Sequence, residues 1–169
     1  MTRHTHILAC AAFIFACAAT HAADEKPNLA KGAKVTASST QVKWEGEGPA
    51  ESLLDGNMQT RWSSTFDDES VTAPNTERDN AQHLIIDFGK STSLRQVKID
   101  WETASAKAYS IATSEDGEAW TTVSEQKDGE EGPRTDEVAL KDAKGRYLKL
   151  NFTARATKYG YSIYEIEVY

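Results

Sequence analysis

An all-β fold, an antiparallel β-sandwich, is what this sequence predicts, and three observations predict it. Short segments of alternating apolar and polar residues recur between turn signals from Asn28 onward. No stretch carries a helical period longer than a turn or two. The length, 169 residues, suits one domain once a leader is set aside, and neither a tandem repeat nor a second domain is visible.

The elements follow in order. Lys34 to Ser38 is a short strand, Gln41 to Pro49 a loop containing Trp44, and Ala50 to Leu54 a helical turn. Thr65 to Gln82 is a long polar loop, a length that is uncommon in compact domains and often functional. His83 to Phe88 reads as a buried strand closed by Gly89. Val97, Ile99 and Trp101 alternate with Lys98, Asp100 and Glu102, a half-buried strand of period two. Tyr109, Ile111 and Thr113 follow in another. Ser114 to Trp120 contains Asp116-Gly117, a hairpin signal, and Trp120 to Gln126 continues as a strand. Lys127 to Asp136 is a loop and Glu137 to Leu140 a short strand. In Arg146 to Ala156, Leu148, Leu150 and Phe152 share one face. The last strand, Ser162 to Tyr169, turns Tyr164, Ile166 and Val168 inward and Glu165 and Glu167 outward.

Residues 1–22 read as an export leader. Arg3 is its positive end, Ile7 to Ala19 its apolar run, and Thr20-His21-Ala22 its small-residue cleavage site. The run is shorter than the about 20 residues a spanning helix needs. A short linker, 23–27, follows. A second route stays open: Ile14-Phe15-Ala16-Cys17 looks like a bacterial lipobox, which would lipidate Cys17 and leave Ala18 to Asn28 as a tether. The expected location is secreted or periplasmic, or lipid-anchored at the cell surface. Both cysteines, Cys10 and Cys17, lie in this leader. The domain therefore stands without a disulfide, although exported proteins often form them. A chain of this size buries roughly 68–70% of its unfolded surface. The formal net charge of −7 argues against nucleic acid and anionic membranes, which reward basic patches.

The stretch from Ser52 to Ser64 gathers oxygen donors around one glycine. Asp55 offers a carboxylate, Asn57 an amide oxygen and a carbonyl, Thr60 a hydroxyl and a carbonyl, and Gly56 a turn through positive φ. Ca²⁺ takes about 6–8 oxygens at about 2.3–2.6 Å. The spacing is not that of an EF-hand, and an ordinary polar turn stays open as the alternative.

Several chemistries lack their residues. Beyond the leader the chain has one histidine, His83, at the start of a core strand, and no cysteine, so a histidine-rich or thiolate zinc site is not available. No phosphate-binding glycine loop occurs. Carboxylates are many, but none is singled out as a glycosidase pair. A non-catalytic protein is expected.

The ordered markers resemble a known family. They are Asn28-Leu29-Ala30, Val35-Thr36-Ala37-Ser38-Ser39, Leu54-Asp55-Gly56-Asn57-Met58-Gln59-Thr60-Arg61-Trp62-Ser63-Ser64 and Leu84-Ile85-Ile86-Asp87-Phe88-Gly89. Then come Val97 to Glu102, Ala108 to Trp120, Arg146 to Leu150 and Tyr159 to Tyr169. Together they resemble the discoidin, or coagulation factor 5/8 type C, superfamily, and within it family 32 carbohydrate-binding modules. The resemblance runs from Asn28 to Tyr169. It implies a galactose-binding-like jelly roll of antiparallel strands. It also implies a structural Ca²⁺ held by the Ser52 carbonyl, Asp55, Asn57, Thr60, the Tyr164 carbonyl and Glu165.

Animal members usually join their two ends by a disulfide. Its absence here favours the bacterial carbohydrate-binding branch and a glycan or polysaccharide partner. A companion glycoside hydrolase or cell-surface protein is a further expectation. An adhesion or protein-interaction domain is the alternative.

Sugar binding needs an aromatic platform and polar groups for the hydroxyls. The candidates are Trp44, Phe66, Arg78, Asn80, Lys107, Tyr159 and Tyr161, with one of the two tyrosines expected in the core. The galactose-type sites of the family use a His, an Arg and an Asn, and no His falls on a loop here. Trp62, Trp101 and Trp120 are assigned to the core. The acidic run Asp67-Asp68-Glu69 reads as a solvated loop, with a second cation as the other reading.

Overall fold

The computed structural model describes residues 26–66 and 81–169. The expected leader with its two cysteines, the acidic run Asp67-Asp68-Glu69, and the candidates Arg78 and Asn80 lie outside them. The strands are β1 (Lys34–Ala37), β2 (Glu47–Gly48), β3 (Arg61–Ser63), β4 (Gln82–Trp101), β5 (Ala106–Ser114), β6 (Thr121–Gln126), β7 (Arg134–Arg155) and β8 (Ser162–Val168). Among the described residues a single 3-10 turn, Ala50–Leu54, precedes the oxygen-rich loop.

Neighbouring strands run β2-β3-β8-β4-β7-β5-β6, with β1 also paired to β4. All pairings but the short β2–β3 contact are antiparallel. The fold is the expected discoidin-like β-sandwich.

Two strands are longer than the sequence suggests. The alternation predicts a break at Gly89 and another after Leu140. Instead β4 and β7 pair along nearly their whole lengths and change register between Asp87 and Thr92 and between Leu94 and Gln96. Gly89 has φ of +74°, so it bends the strand without ending it. The first half of β4 pairs with β1, and the second half pairs with β8.

The core is aromatic at its centre. Phe152 meets Trp62, Trp101 and Tyr161 at ring-centroid distances of 6.1, 5.6 and 4.8 Å. Leu84, Ile86, Ile99, Leu148 and Leu150 are fully buried around it. Trp101 Nε1 and Tyr109 Oη both donate to Asp136 Oδ2, at 2.8 and 2.9 Å. Arg134 Nε donates to the other oxygen of Asp136 at 2.9 Å. The polar tips of two core aromatics thus end on one carboxylate that is itself neutralised.

Two expectations are corrected. Trp120 is not a core residue. It lies half-exposed on the outer side of β7, edge-on to Tyr147 with centroids 6.5 Å apart, and Lys149 Nζ sits over its ring. The hairpin sets its phase opposite to that of Leu148. Tyr164 does not face the core either. The β4–β8 register jumps from Asp100 opposite Glu165 to Trp101 opposite Ile163. This bulge buries Ile163 and Ile166 and leaves Tyr164 half-exposed, while Glu165 is only 5% exposed.

Candidate functional site

At one end of the sandwich, the loops after β1, β3, β4 and β7 surround a cleft of about 460 Å³. Such volumes suit small-molecule sites, commonly about 300–1,000 Å³. Its rim is aromatic. Trp44 and Phe66 are near-parallel with centroids 6.3 Å apart, and Tyr159 meets Phe66 edge-on at 5.8 Å. Trp44 is 52% and Tyr159 42% exposed. The other lining residues are mostly small and polar: Gln41, Ser63, Ser64 and Ser162. Gly160 keeps one side open. A Cβ there would come within 2.5 Å of Ser64 Oγ and 3.0 Å of Ser64 O.

Two charged groups complete the lining. Glu102 Oε2 accepts the Ala104 N–H at 3.0 Å, and Glu102 has no ion-pair partner among the described residues. Arg61 Nε is the one buried side-chain nitrogen or oxygen among them without a hydrogen-bond partner. A buried N–H left unpaired costs about 1–3 kcal/mol.

Glu47 also lines the cleft but is already engaged. Its side chain is 1% exposed. Its Oε2 accepts the N–H groups of Lys43 and Trp44 at 2.7 and 3.0 Å, and its Oε1 accepts Gln41 Nε2 at 3.2 Å. Burial pushes its carboxyl up, but these donors together with Ser63 outweigh burial and hold it below the usual range. Glu47 therefore fixes the loop that presents Trp44. Across the cleft, buried Arg155 donates to the Tyr159 carbonyl at 3.1 Å and so steadies the loop carrying Tyr159.

The structure brings together Trp44, Phe66, Tyr159 and Tyr161 of the sequence candidates. Tyr161 is 1% exposed and packs on Phe152, so it is the tyrosine of the pair that belongs to the core, with one edge in the cleft. Lys107 is exposed on β5 and does not line the cleft. Neither does His83. Sequence reasoning passed over Glu102 and Arg61. Glu102 carried a signal, since it ends a strand in outward phase just after a buried tryptophan. Arg61 had none beyond its charge.

The oxygen-rich loop forms a second, separate feature. Asp55 Oδ1 accepts the Asn57 N–H at 2.8 Å, Asn57 Oδ1 accepts the Gln59 N–H at 3.1 Å, and Thr60 Oγ1 donates to Asp55 Oδ2 at 2.7 Å. From β8, Glu165 Oε2 accepts the Gly56 N–H at 3.0 Å. Gly56 has φ of +73°. Ser52 is buried just ahead of this turn.

Residues 34–166 match the family model described as the F5/8 type C domain. The chain belongs to this family. Among solved structures, this F5/8 type C domain is similar to chitosan-binding module 1 of a chitosanase/glucanase from Paenibacillus sp. IK-5. The TM-score is 0.70 and the identity 32%, with 85% of this chain and 99% of that one covered. Module 2 of the same enzyme, solved in complex with chitotriose, gives 0.67 and 34%, with 84% and 99% covered. A family 32 module from Clostridium perfringens, solved with GalNAc-β-1,3-galactose, gives 0.69 at 20% identity, with 85% and 99% covered, and speaks for the fold alone. The curated proteins contain no match.

The family implies a calcium ion in this loop, and the residues present fit one. Glu165 is buried, and its carboxyl is pushed up to about 7, first by burial and then by the charges of Asp55, Glu167 and Asp100, against the Gly56 N–H. A buried carboxylate crowded by others is a place where a cation lowers the free energy. No group of three or more His, Cys, Asp or Glu side chains among the described residues could hold a metal ion. Any ion here would need backbone and amide oxygens, the donors Ca²⁺ accepts and Zn²⁺ does not favour.

Proposed function

We propose that this protein is a non-catalytic carbohydrate-binding module whose ligand is an amino-sugar glycan of the chitosan class. The observation that carries the reading is the cleft. Three aromatic rings stand beside a carboxylate without a cationic partner among the described residues and a buried N–H without an acceptor. The rings take the apolar face of a pyranose. Glu102 takes an ammonium group through a charge-assisted hydrogen bond. The chitosan-binding modules at 32% and 34% identity support the same class. The second reading, a protein-adhesion domain, draws on Val42 and Trp44, which are 65% and 52% exposed. The concave polar lining beside them favours a sugar.

The proposal includes a structural Ca²⁺ in the Ser52–Thr60 loop with Glu165, where it would tie the loop to β8. It includes export as well, with the leader removed or Cys17 lipidated.

The test is calorimetric titration of the purified protein with glucosamine oligomers, their N-acetylated counterparts and galactose. Glucosamine oligomers are expected to bind, with Trp44→Ala abolishing the signal. A hydrogen bond to a charged group is worth about 1.5–3 kcal/mol, so Glu102→Gln is expected to weaken binding about 10- to 100-fold. A folded protein that binds none of these sugars would sink the reading. If Glu102→Gln changed nothing, the amino-sugar assignment would go.

A further inference from the structure

The cation loop and the loop that presents Trp44 are joined along one seam. A Cβ on Gly48 would lie 2.3 Å from Ser52 Oγ, and one on Gly46 would lie 2.8 Å from the Gln59 carbonyl. Both glycines are therefore backed directly onto residues of the cation loop, Gly46 onto backbone and Gly48 onto a side-chain hydroxyl. Arg61, the residue after Thr60, closes the seam. Its N–H donates to the Gly46 carbonyl at 2.8 Å and its Nη1 to the Glu45 carbonyl at 2.7 Å. Its Nη2 lies 3.6 Å from Glu47 Oε1. Glu47 then holds the Lys43 and Trp44 N–H groups. The path from Thr60 to Trp44 is thus a run of close backbone approaches, hydrogen bonds and one ion pair. The two sites stay distinct, because no residue of 52–60 lines the aromatic cleft.

We propose that the two loops act as one unit, so that cation occupancy of Ser52–Thr60 tightens glycan binding in the cleft. Glycan binding must then tighten cation binding by the same factor, because binding free energies are linked reciprocally. The inference rests on the glycan reading of the cleft and the cation reading of the loop. The physical reason is local. Hydrogen bonds gather Asp55, Asn57 and Thr60 into one turn, and Glu165 of β8 reaches that turn through the Gly56 N–H. Drawing those oxygens together fixes Gln59 and Thr60. That fixes Arg61 and Gly46, and Arg61 is also a cleft residue.

The test is calcium titration of the purified protein by calorimetry, alone and with a saturating glucosamine oligomer, followed by the reverse titration. Both affinities are expected to rise by about fivefold or more, the lower end of common couplings, and by equal factors. Affinities that agree within about twofold overturn the coupling. So does the absence of calcium binding at about 1 mM, the weak end of protein sites. Gly46→Ala puts a Cβ into the seam, and its φ of +80° adds strain. It is expected to keep both sites and lose the coupling, with a melting curve to check folding.

A second readout needs neither the sugar nor that variant. In a Trp120→Phe protein, Trp44 is the accessible tryptophan, since Trp62 and Trp101 are 0% and 1% exposed. Its acrylamide quenching is expected to fall on adding Ca²⁺, and unchanged quenching overturns the proposal. A failed sugar titration would count against the glycan reading, whereas unchanged quenching counts against the seam.

Discussion

At the scale of single residues, the site depends on groups that shape the cleft and hold its aromatic rim. Glu47 is one. Its native carboxyl titrates below the ordinary value of 4.5, so its stabilisation is present above that pH and is lost as pH falls through the native value. Acidification below about pH 4.5 is expected to release Trp44. Acrylamide quenching of Trp44 would rise over that window, and the Glu47→Gln protein would lack the step. Gly160 is another. Alanine there would press on Ser64 Oγ, which also accepts the Tyr161 N–H at 2.9 Å. Overpacking of this kind costs about 1–3 kcal/mol. Gly160→Ala is expected to lower the melting temperature modestly and to weaken glycan binding by at least about tenfold, as read by calorimetry and a thermal melt.

The elements show where period-two reading succeeds and where it stops. Leu148, Leu150 and Phe152 share one face because β7 is regular there, and the alternation was legible for that reason. Tyr164 was misplaced because a bulge in β8 shifts the phase by one residue, and a bulge leaves no mark in an alternating pattern. Trp120 was misplaced because an edge hairpin turned it onto the outer face. The joint between β4, β5 and β7 gives a prediction. Asp136 holds Trp101, Tyr109 and Arg134 at once. Asp136→Ala leaves Trp101 Nε1 and Tyr109 Oη without their acceptor, while Arg134 keeps the Ala106 and Glu130 carbonyls. At about 1–3 kcal/mol for each of the two unsatisfied donors, it is expected to cost about 2–6 kcal/mol, visible as a lower urea midpoint. Glycan binding by the remaining folded fraction should be little changed.

For the whole molecule, stability and ligation are linked. The described domain contains no cysteine, so its long-range ties are core packing and, on the calcium reading, the ion between the Ser52–Thr60 loop and β8. A ligand that binds only the folded state at 100 times its Kd adds about 2.7 kcal/mol. The melting temperature is therefore expected to rise with added Ca²⁺ and to fall with a chelator. A reducing agent is expected to leave it unchanged. A melting temperature indifferent to Ca²⁺ across the millimolar range would remove the structural ion.

The sequence by itself determined the all-β class, the family, the oxygen-rich loop and the aromatics Trp44, Phe66 and Tyr159. These are properties of local pattern: alternation, a turn glycine with donors beside it, and aromatic residues stranded in polar loops. Only the tertiary structure decided which groups share the cleft. Glu102 reaches it from the end of β4, Arg61 from β3 and Gly160 from the turn before β8, positions far apart along the chain. Their meeting is set by strand order and by the register of β4 against β8. The same holds for the seam between the two loops. It joins backbone groups of Gly46, Gly48 and Gln59 to the side chains of Ser52, Arg61 and Glu47, and only the folded chain brings these together.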